Sequence, residues 1–232
     1  MAKANNANNA KKEKKVILLP EGRLINHALF ERDIYKDPSG RGRDGDPMYK
    51  IEMAYEPKDV QGEGTIEDDL LQAALDEWGD TKKIEDEFFD GTIRTPFLDG
   101  NKLAAKREEK GKQGDAYKGK LVVRCNTKFN KDGIDGPGGV AVYNENVDLI
   151  GLAQNNTAEI YPGCYGILAV TISAGRDVGS DDKHVKFWFV SFQKTRDGEK
   201  LAASRDASKL FKPVGRASGA EAGDGERRRR RG

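Results

Sequence analysis

In the last third of the chain, the run Val185-Lys186-Phe187-Trp188-Phe189-Val190-Ser191-Phe192-Gln193-Lys194-Thr195-Arg196 interleaves aromatic rings with cations. Side chains alternate across a strand, so Val185, Phe187 and Phe189 share one face and Lys186, Trp188 and Val190 the other. A ring and a cation on one strand face have a definite chemical use. Nucleobases stack on the ring while the cation holds the phosphate, which is how single-stranded nucleic acid is gripped without reading its sequence. In strict alternation Val190 and Phe192 continue the Trp188 face, which would place Trp188 in a core closed on both sides of the sheet. Tryptophan is highly buried on average, and both readings stand at this stage.

Similar patterns occur upstream. The segment Lys120–Lys128 puts Leu121, Val123 and Cys125 on one face and Arg124, Asn126 and Lys128 on the other. Tyr49, Ile51, Met53 and Tyr55 alternate with Lys50, Glu52 and Ala54, which marks a half-buried strand ending at Pro57. Tyr143 ends a short strand, Val140–Tyr143. Tyr161 and Tyr165 flank the Pro162-Gly163 turn before a strand over Tyr165–Ala174, where their rings either reach solvent or pack against a barrel mouth. The candidate nucleic-acid contacts are therefore Lys50, Arg124, Lys128 and Lys186 for phosphates, with Tyr143, Tyr161, Tyr165 and Trp188 as stacking rings.

No catalytic constellation accompanies them. His27 and His184 lie on different predicted strands and outside any cluster with metal-ligand spacing. The chain lacks a P-loop, a G-x-S-x-G and an H-E-x-x-H. Gly40-Arg41-Gly42-Arg43-Asp44-Gly45 matches G-x-G-x-x-G in letters only, because a strand must precede that motif and a helix follow it. Here Pro38 and Ser39 precede it and a strand follows, so it reads as a loop, either solvated or offering Arg41 and Arg43 to phosphate. The acidic runs Asp68-Asp69 and Glu85-Asp86-Glu87 read as solvated helix faces rather than metal ligands. The expectation is a protein that is not an enzyme, with no metal and no cofactor.

The elements that must carry these residues are mostly short strands. The first spans Gly22–Phe30, and His184–Lys194 is the last. One solid helix covers 66–78, where Ile66, Leu70, Leu71, Ala74, Leu75 and Trp78 share a face. Thr65 caps its start, Glu67, Asp68 and Asp69 suit its positive end, and Gly79 stops it. Trp78 on this face reads as a core anchor. A second helix spans Thr81–Phe89. Residues 99–119, charged and punctuated by glycine, read as a long exposed loop. The fold class expected is mainly β: an OB-fold-like antiparallel barrel with an inserted α-helix.

The chain has 232 residues and a net charge of +1, but the charge is unevenly placed. Residues 1–15 carry net +4 and residues 216–232 net +3, so the body between them carries −6. The organisation expected is a disordered basic N-terminal arm over 1–15, a binding domain over 16–215 and a disordered Arg-rich tail over 216–232. Cys125 and Cys164 are too few for a disulfide scaffold and read as buried thiols. Without a signal peptide or a membrane-length apolar run, the location expected is cytoplasmic, with no membrane partner.

Several segments resemble a family of bacteriophage single-stranded-DNA-binding proteins. Tyr161-Pro162-Gly163-Cys164-Tyr165-Gly166 is similar to that family's "S-G-C-Y-G/V" turn, and Gln193–Leu201 to its "Q-K-x-x-D-G-E-P-L" end. Tyr49-Lys50-Ile51-Glu52-Met53 stands where the family has "Y-S-V-T-L", and Pro96–Gly100 resembles its "P-L-R-D-G". These landmarks run in the family's order across 22–205. The resemblance implies an OB-fold, sequence-tolerant binding and protection of single-stranded DNA, and a role in phage replication or recombination inside the infected cell. Replication or recombination proteins, and a second copy of the chain in a homodimer, are the further partners to be expected. Lys200 departs from the family's proline. Members commonly end in an acidic tail that recruits such proteins, whereas this chain ends in Arg227–Arg231 and Gly232. A basic tail adds phosphate affinity instead. The other readings of the same residues are a structural or interaction protein of a viral nucleoprotein or replication complex that uses a β-barrel and basic tails and, third, a metal-dependent nuclease.

Overall fold

The computed structural model describes residues 15–34, 45–150, 159–177 and 179–201. The two basic arms and the Arg41–Arg43 loop lie outside the described residues. The described residues form eight strands: β1 (Val16–Leu18), β2 (Gly22–Asp33), β3 (Met48–Tyr55), β4 (Phe97–Asp99), β5 (Leu121–Thr127), β6 (Ala141–Tyr143), β7 (Tyr165–Arg176) and β8 (Lys183–Arg196). Between β3 and β5 stand helices α1 (Pro57–Val60), α2 (Ile66–Trp78), α3 (Lys82–Phe89) and α4 (Gly100–Glu108), and a 3-10 turn at Asp115–Tyr117.

Five strands close a ring in the order β2-β3-β5-β8-β7 and back to β2. Only the β5–β8 pairing within it is parallel. This is the strand order of an OB-fold, whose ligands lie across its second and third strands, here β3 and β5. The expected fold class holds, with the helices as an insertion at that point. β1 and β6 extend the ring by pairing with β7 and β8.

Alternation decides which side chains fill the ring. Tyr49, Ile51 and Met53 of β3, Val123 and Cys125 of β5, Leu168 and Val170 of β7, and Phe187, Phe189 and Phe192 of β8 are buried in one core. Both cysteines are free and buried. In α2, Thr65 accepts from the Glu67 N–H and Gly79 ends the helix at φ 99°, as its sequence predicts. Trp78 packs at the margin of the core with the Lys183 ammonium 5.5 Å from its ring.

Three expectations need correction. The predicted loop 99–119 is α4 plus the 3-10 turn. Asp99 caps α4 by accepting from the Asn101 and Lys102 N–H groups. Its few apolar residues, Ala104 and Leu103, pack with Tyr117, Val122, Ile25 and Ala54 in a second small core. Too few apolar residues are involved to show a period. The first strand runs on from Phe30 to Asp33, with register shifts against β3 that allow its extra length. The third correction concerns β8. Val170 pairs with Phe189 and Ala169 with Ser191, so Val190 is an extra residue in a β-bulge. The bulge reverses the alternation. Phe192 turns into the core at 0% exposure while Trp188 stays on the outer face.

Candidate nucleic-acid interface

The parity of each strand sets the outer face of the ring. Ile51, Cys125 and Phe187 point into the core, so Lys50, Asn126 and Trp188 point out. These three residues are in register across β3, β5 and β8: Lys50 pairs with Asn126, and Asn126 with Trp188. They form one row of cation, amide and indole. One step along, Glu52 pairs with Arg124. Lys186 precedes Trp188 by two residues on the same face and holds its ammonium 5.1 Å from the indole ring. That is a cation–π contact. Thr171 and Ser173 of β7 flank Trp188 and Lys186 on the other side.

Five of the eight predicted contacts therefore meet on one face: Lys50, Arg124, Lys128, Lys186 and Trp188. Three of their cations are already paired. Lys50 Nζ lies 2.9 Å from Asp33 Oδ2, Arg124 Nε 2.6 Å from Glu52 Oε1, and Lys128 Nζ 2.7 Å from Asp46 Oδ2. The carboxylates of Asp33 and Asp46 are exposed, and such pairs contribute little, so a phosphate can exchange with them; Glu52 is only 12% exposed, so Arg124 meets a phosphate while still paired with it. Lys128 is held above its ordinary pKa by Asp46, which keeps it charged.

The three tyrosines stand elsewhere. Tyr143 pairs with Gln193, farther along β8. Tyr165 pairs with Arg196 at the far end of β8. At about 3.3 Å per residue, that is roughly 26 Å along the strand from Trp188. The Arg196 guanidinium lies 3.5 Å from the Tyr165 ring centroid and is paired with Glu21. The cleft there joins Arg23, Lys120 and Arg196 to Glu21, Glu56, Asp59 and Asp115, so its acids outnumber its cations and it has no net pull on an anion. Tyr161 is committed to the fold. Its hydroxyl lies 2.8 Å from Asp197 Oδ1 and 3.0 Å from the Gly198 carbonyl, and accepts the Gly198 N–H at 3.3 Å. Its ring packs against the core, with the Lys200 ammonium 5.0 Å from its centroid.

Sequence reasoning left Asn126 out of the site, although it shares a face with Arg124 and Lys128. It also passed over Phe129, which is 53% exposed beside Lys128. The signal was available in Lys128-Phe129-Asn130-Lys131, a ring between cations just past the end of a predicted strand. His27 and His184 are strand residues, and among the described residues neither joins a cluster of groups that could hold a metal ion. Burial holds both imidazoles below their ordinary pKa, and His184 Nδ1 lies 3.0 Å from Asp177.

A ring of OB order with cations and an indole on its second, third and fifth strands is the build of a single-strand nucleic-acid binder. The chain belongs to the family of the Enterobacter phage Enc34 ssDNA-binding protein, whose model matches residues 23–223. Among solved structures, the single-stranded DNA-binding protein of bacteriophage Enc34 in complex with ssDNA is 16% identical, with a TM-score of 0.48 over 81% of this chain and 89% of that one. The gp2.5 single-stranded DNA binding protein encoded by bacteriophage T7 is 11% identical, with a TM-score of 0.49 over 89% of this chain and 100% of that one. No curated protein matches the chain.

Proposed function

We propose that the chain binds and protects single-stranded DNA, without catalysis, during phage DNA replication or recombination in the infected host cell. The observation that carries this reading is the Lys50–Asn126–Trp188 row with Lys186 against the indole. Bases stack on Trp188, and Lys50, Arg124, Lys128 and Lys186 hold the phosphates that flank them. A ring accepts any base, so the grip is largely blind to sequence. Binding removes secondary structure in the strand because paired bases cannot reach the ring.

Residues 16–215 form the binding domain in this reading. Residues 1–15 and 216–232 are basic arms that add phosphate affinity without regard to sequence or strandedness. Tyr161 serves the fold, and Tyr165 is stacked with arginines rather than open to bases. The test is titration of labelled single- and double-stranded oligonucleotides across a range of salt. Preference for the single strand that persists without the arms supports the reading. Affinity that vanishes with the arms would refute it.

A further inference from the structure

The edge of β8 changes partner midway. It pairs with β5 at Trp188 and with β6 from Ser191 to Gln193. The chain between β5 and β6, residues 128–140, arches beside this junction. The Val190 bulge lies within it and turns an apolar side chain outward at 41% exposure. A groove results, walled by Phe129, Tyr143 and Val190, with Lys131 on its rim.

Side-chain hydrogen bonds tie the arch to the core and to itself. The buried Tyr49 hydroxyl donates to the Gly136 carbonyl and accepts the Gly139 N–H. The Asn130 side chain accepts from the Asp132 and Ile134 N–H groups and donates to the Pro137 carbonyl. Phe129 is thus an exposed ring on a loop already ordered, so a ligand that covers it pays little to order it further. Two residues of strand, roughly 7 Å, separate Val190 from Trp188. The groove therefore continues the outer face in the direction of the chain. Bulges recur beside binding sites because they re-aim a side chain.

We infer that this groove takes one unstacked nucleobase of a bound single strand, between Phe129 and Tyr143 and over Val190, with Lys128 and Lys131 on the adjoining phosphates. The inference rests on the single-strand reading above and extends its path past Trp188. Lys131 on the rim and Lys128 beside Phe129 favour a polyanion over an apolar peptide as the occupant, and both must exchange a carboxylate for it, Asp132 at 2.8 Å from Lys131 and Asp46 at 2.7 Å from Lys128.

The test uses the full chain and labelled oligo(dT). Phe129→Ala should weaken binding by about five- to 150-fold, the range that one stacked base is worth. Phe129→Trp should restore it and Phe129→Leu should not, at unchanged melting temperature. Loss in Trp188→Ala with none in Phe129→Ala would overturn this inference and leave the single-strand reading intact. Full affinity in both variants would overturn both. A shift in sedimentation with Phe129→Ala at unchanged affinity would assign the groove to a second copy of the chain and overturn the nucleobase.

Discussion

Replacing Tyr161 by phenylalanine separates the roles of fold and ligand at one residue. The substitution keeps the ring and removes the hydroxyl that holds the end of β8 to the Pro162-Gly163 turn. Asp197 loses a donor 2.8 Å away, but its side chain is 72% exposed and keeps Lys194 at 2.8 Å, so water and the lysine replace the hydroxyl. The Gly198 N–H is part-buried and loses its acceptor. One neutral hydrogen bond contributes about 1 kcal/mol net. For a domain of this size that is about 2–4 °C in melting temperature. Tyr161→Ala also removes a half-buried ring from the core margin. About half of the ~3–5 kcal/mol for a fully buried ring gives roughly 2 kcal/mol more. Scanning calorimetry should thus rank wild type, Tyr161→Phe and Tyr161→Ala in falling order. Oligo(dT) affinity measured well below each melting temperature should be unchanged in both. Unchanged melting with a loss of affinity in Tyr161→Ala would refute the reasoning and make Tyr161 a stacking ring.

Three further outcomes follow from the same geometry. Glu52→Gln should tighten single-strand binding by at least about threefold in Kd, because a carboxylate ~6 Å from a phosphate repels it by about 0.7 kcal/mol even in bulk water and Glu52 is only 12% exposed; weaker binding would mean that Glu52 is needed to aim Arg124. Burial favours neutral His27 and His184 in the fold, so stability is complete above the ordinary imidazole pKa of about 6.5 and falls as pH drops through it toward the lowered folded values. Calorimetry should show that fall and show it diminished in His27→Gln; a melting temperature that rises as pH falls through this window would contradict it. Deleting residues 216–232 should weaken affinity, sharpen the preference for single strands and flatten the plot of log K against log salt by ~0.7 for each phosphate the arginines engage, or about 2 if three are engaged; an unchanged slope would show that the tail does not touch DNA.

How much of this was legible depends on the range of the signal. Alternation is local, so β3 and β5 and the face of Lys50 and Arg124 could be read directly. Helix α2 announced itself through Thr65, its apolar face and Gly79. Helix α4 did not, because it is held by a cap at Asp99 and a handful of contacts around Tyr117 rather than by an apolar stripe. The row through Trp188 was out of reach, since the parallel pairing of β5 with β8 joins residues 62 apart in sequence. The bulge at Val190 carries no local mark either, and it alone decides that Phe192 is core and Trp188 is not. The two segments that most resembled the phage family turn out to hold the fold together. A Cβ on Gly163, at φ 117°, would lie 2.1 Å from the Glu199 carbonyl, and one on Gly198 would lie 2.2 Å from the Gly163 carbonyl. These glycines let the two segments touch, so the resemblance in these segments is carried by packing rather than by the residues of the outer face.

If bases stack on Trp188, the indole's own fluorescence reports it. Trp78 lies on the helical insertion against Lys183, away from the proposed path, so Trp78→Phe leaves a single reporter. Titrating that variant with oligo(dT) while following the anisotropy of the labelled strand gives occupancy and stacking in one experiment. Trp188 emission should be quenched in step with occupancy and recover as salt releases the strand. Full occupancy with Trp188 emission unchanged would contradict stacking on Trp188.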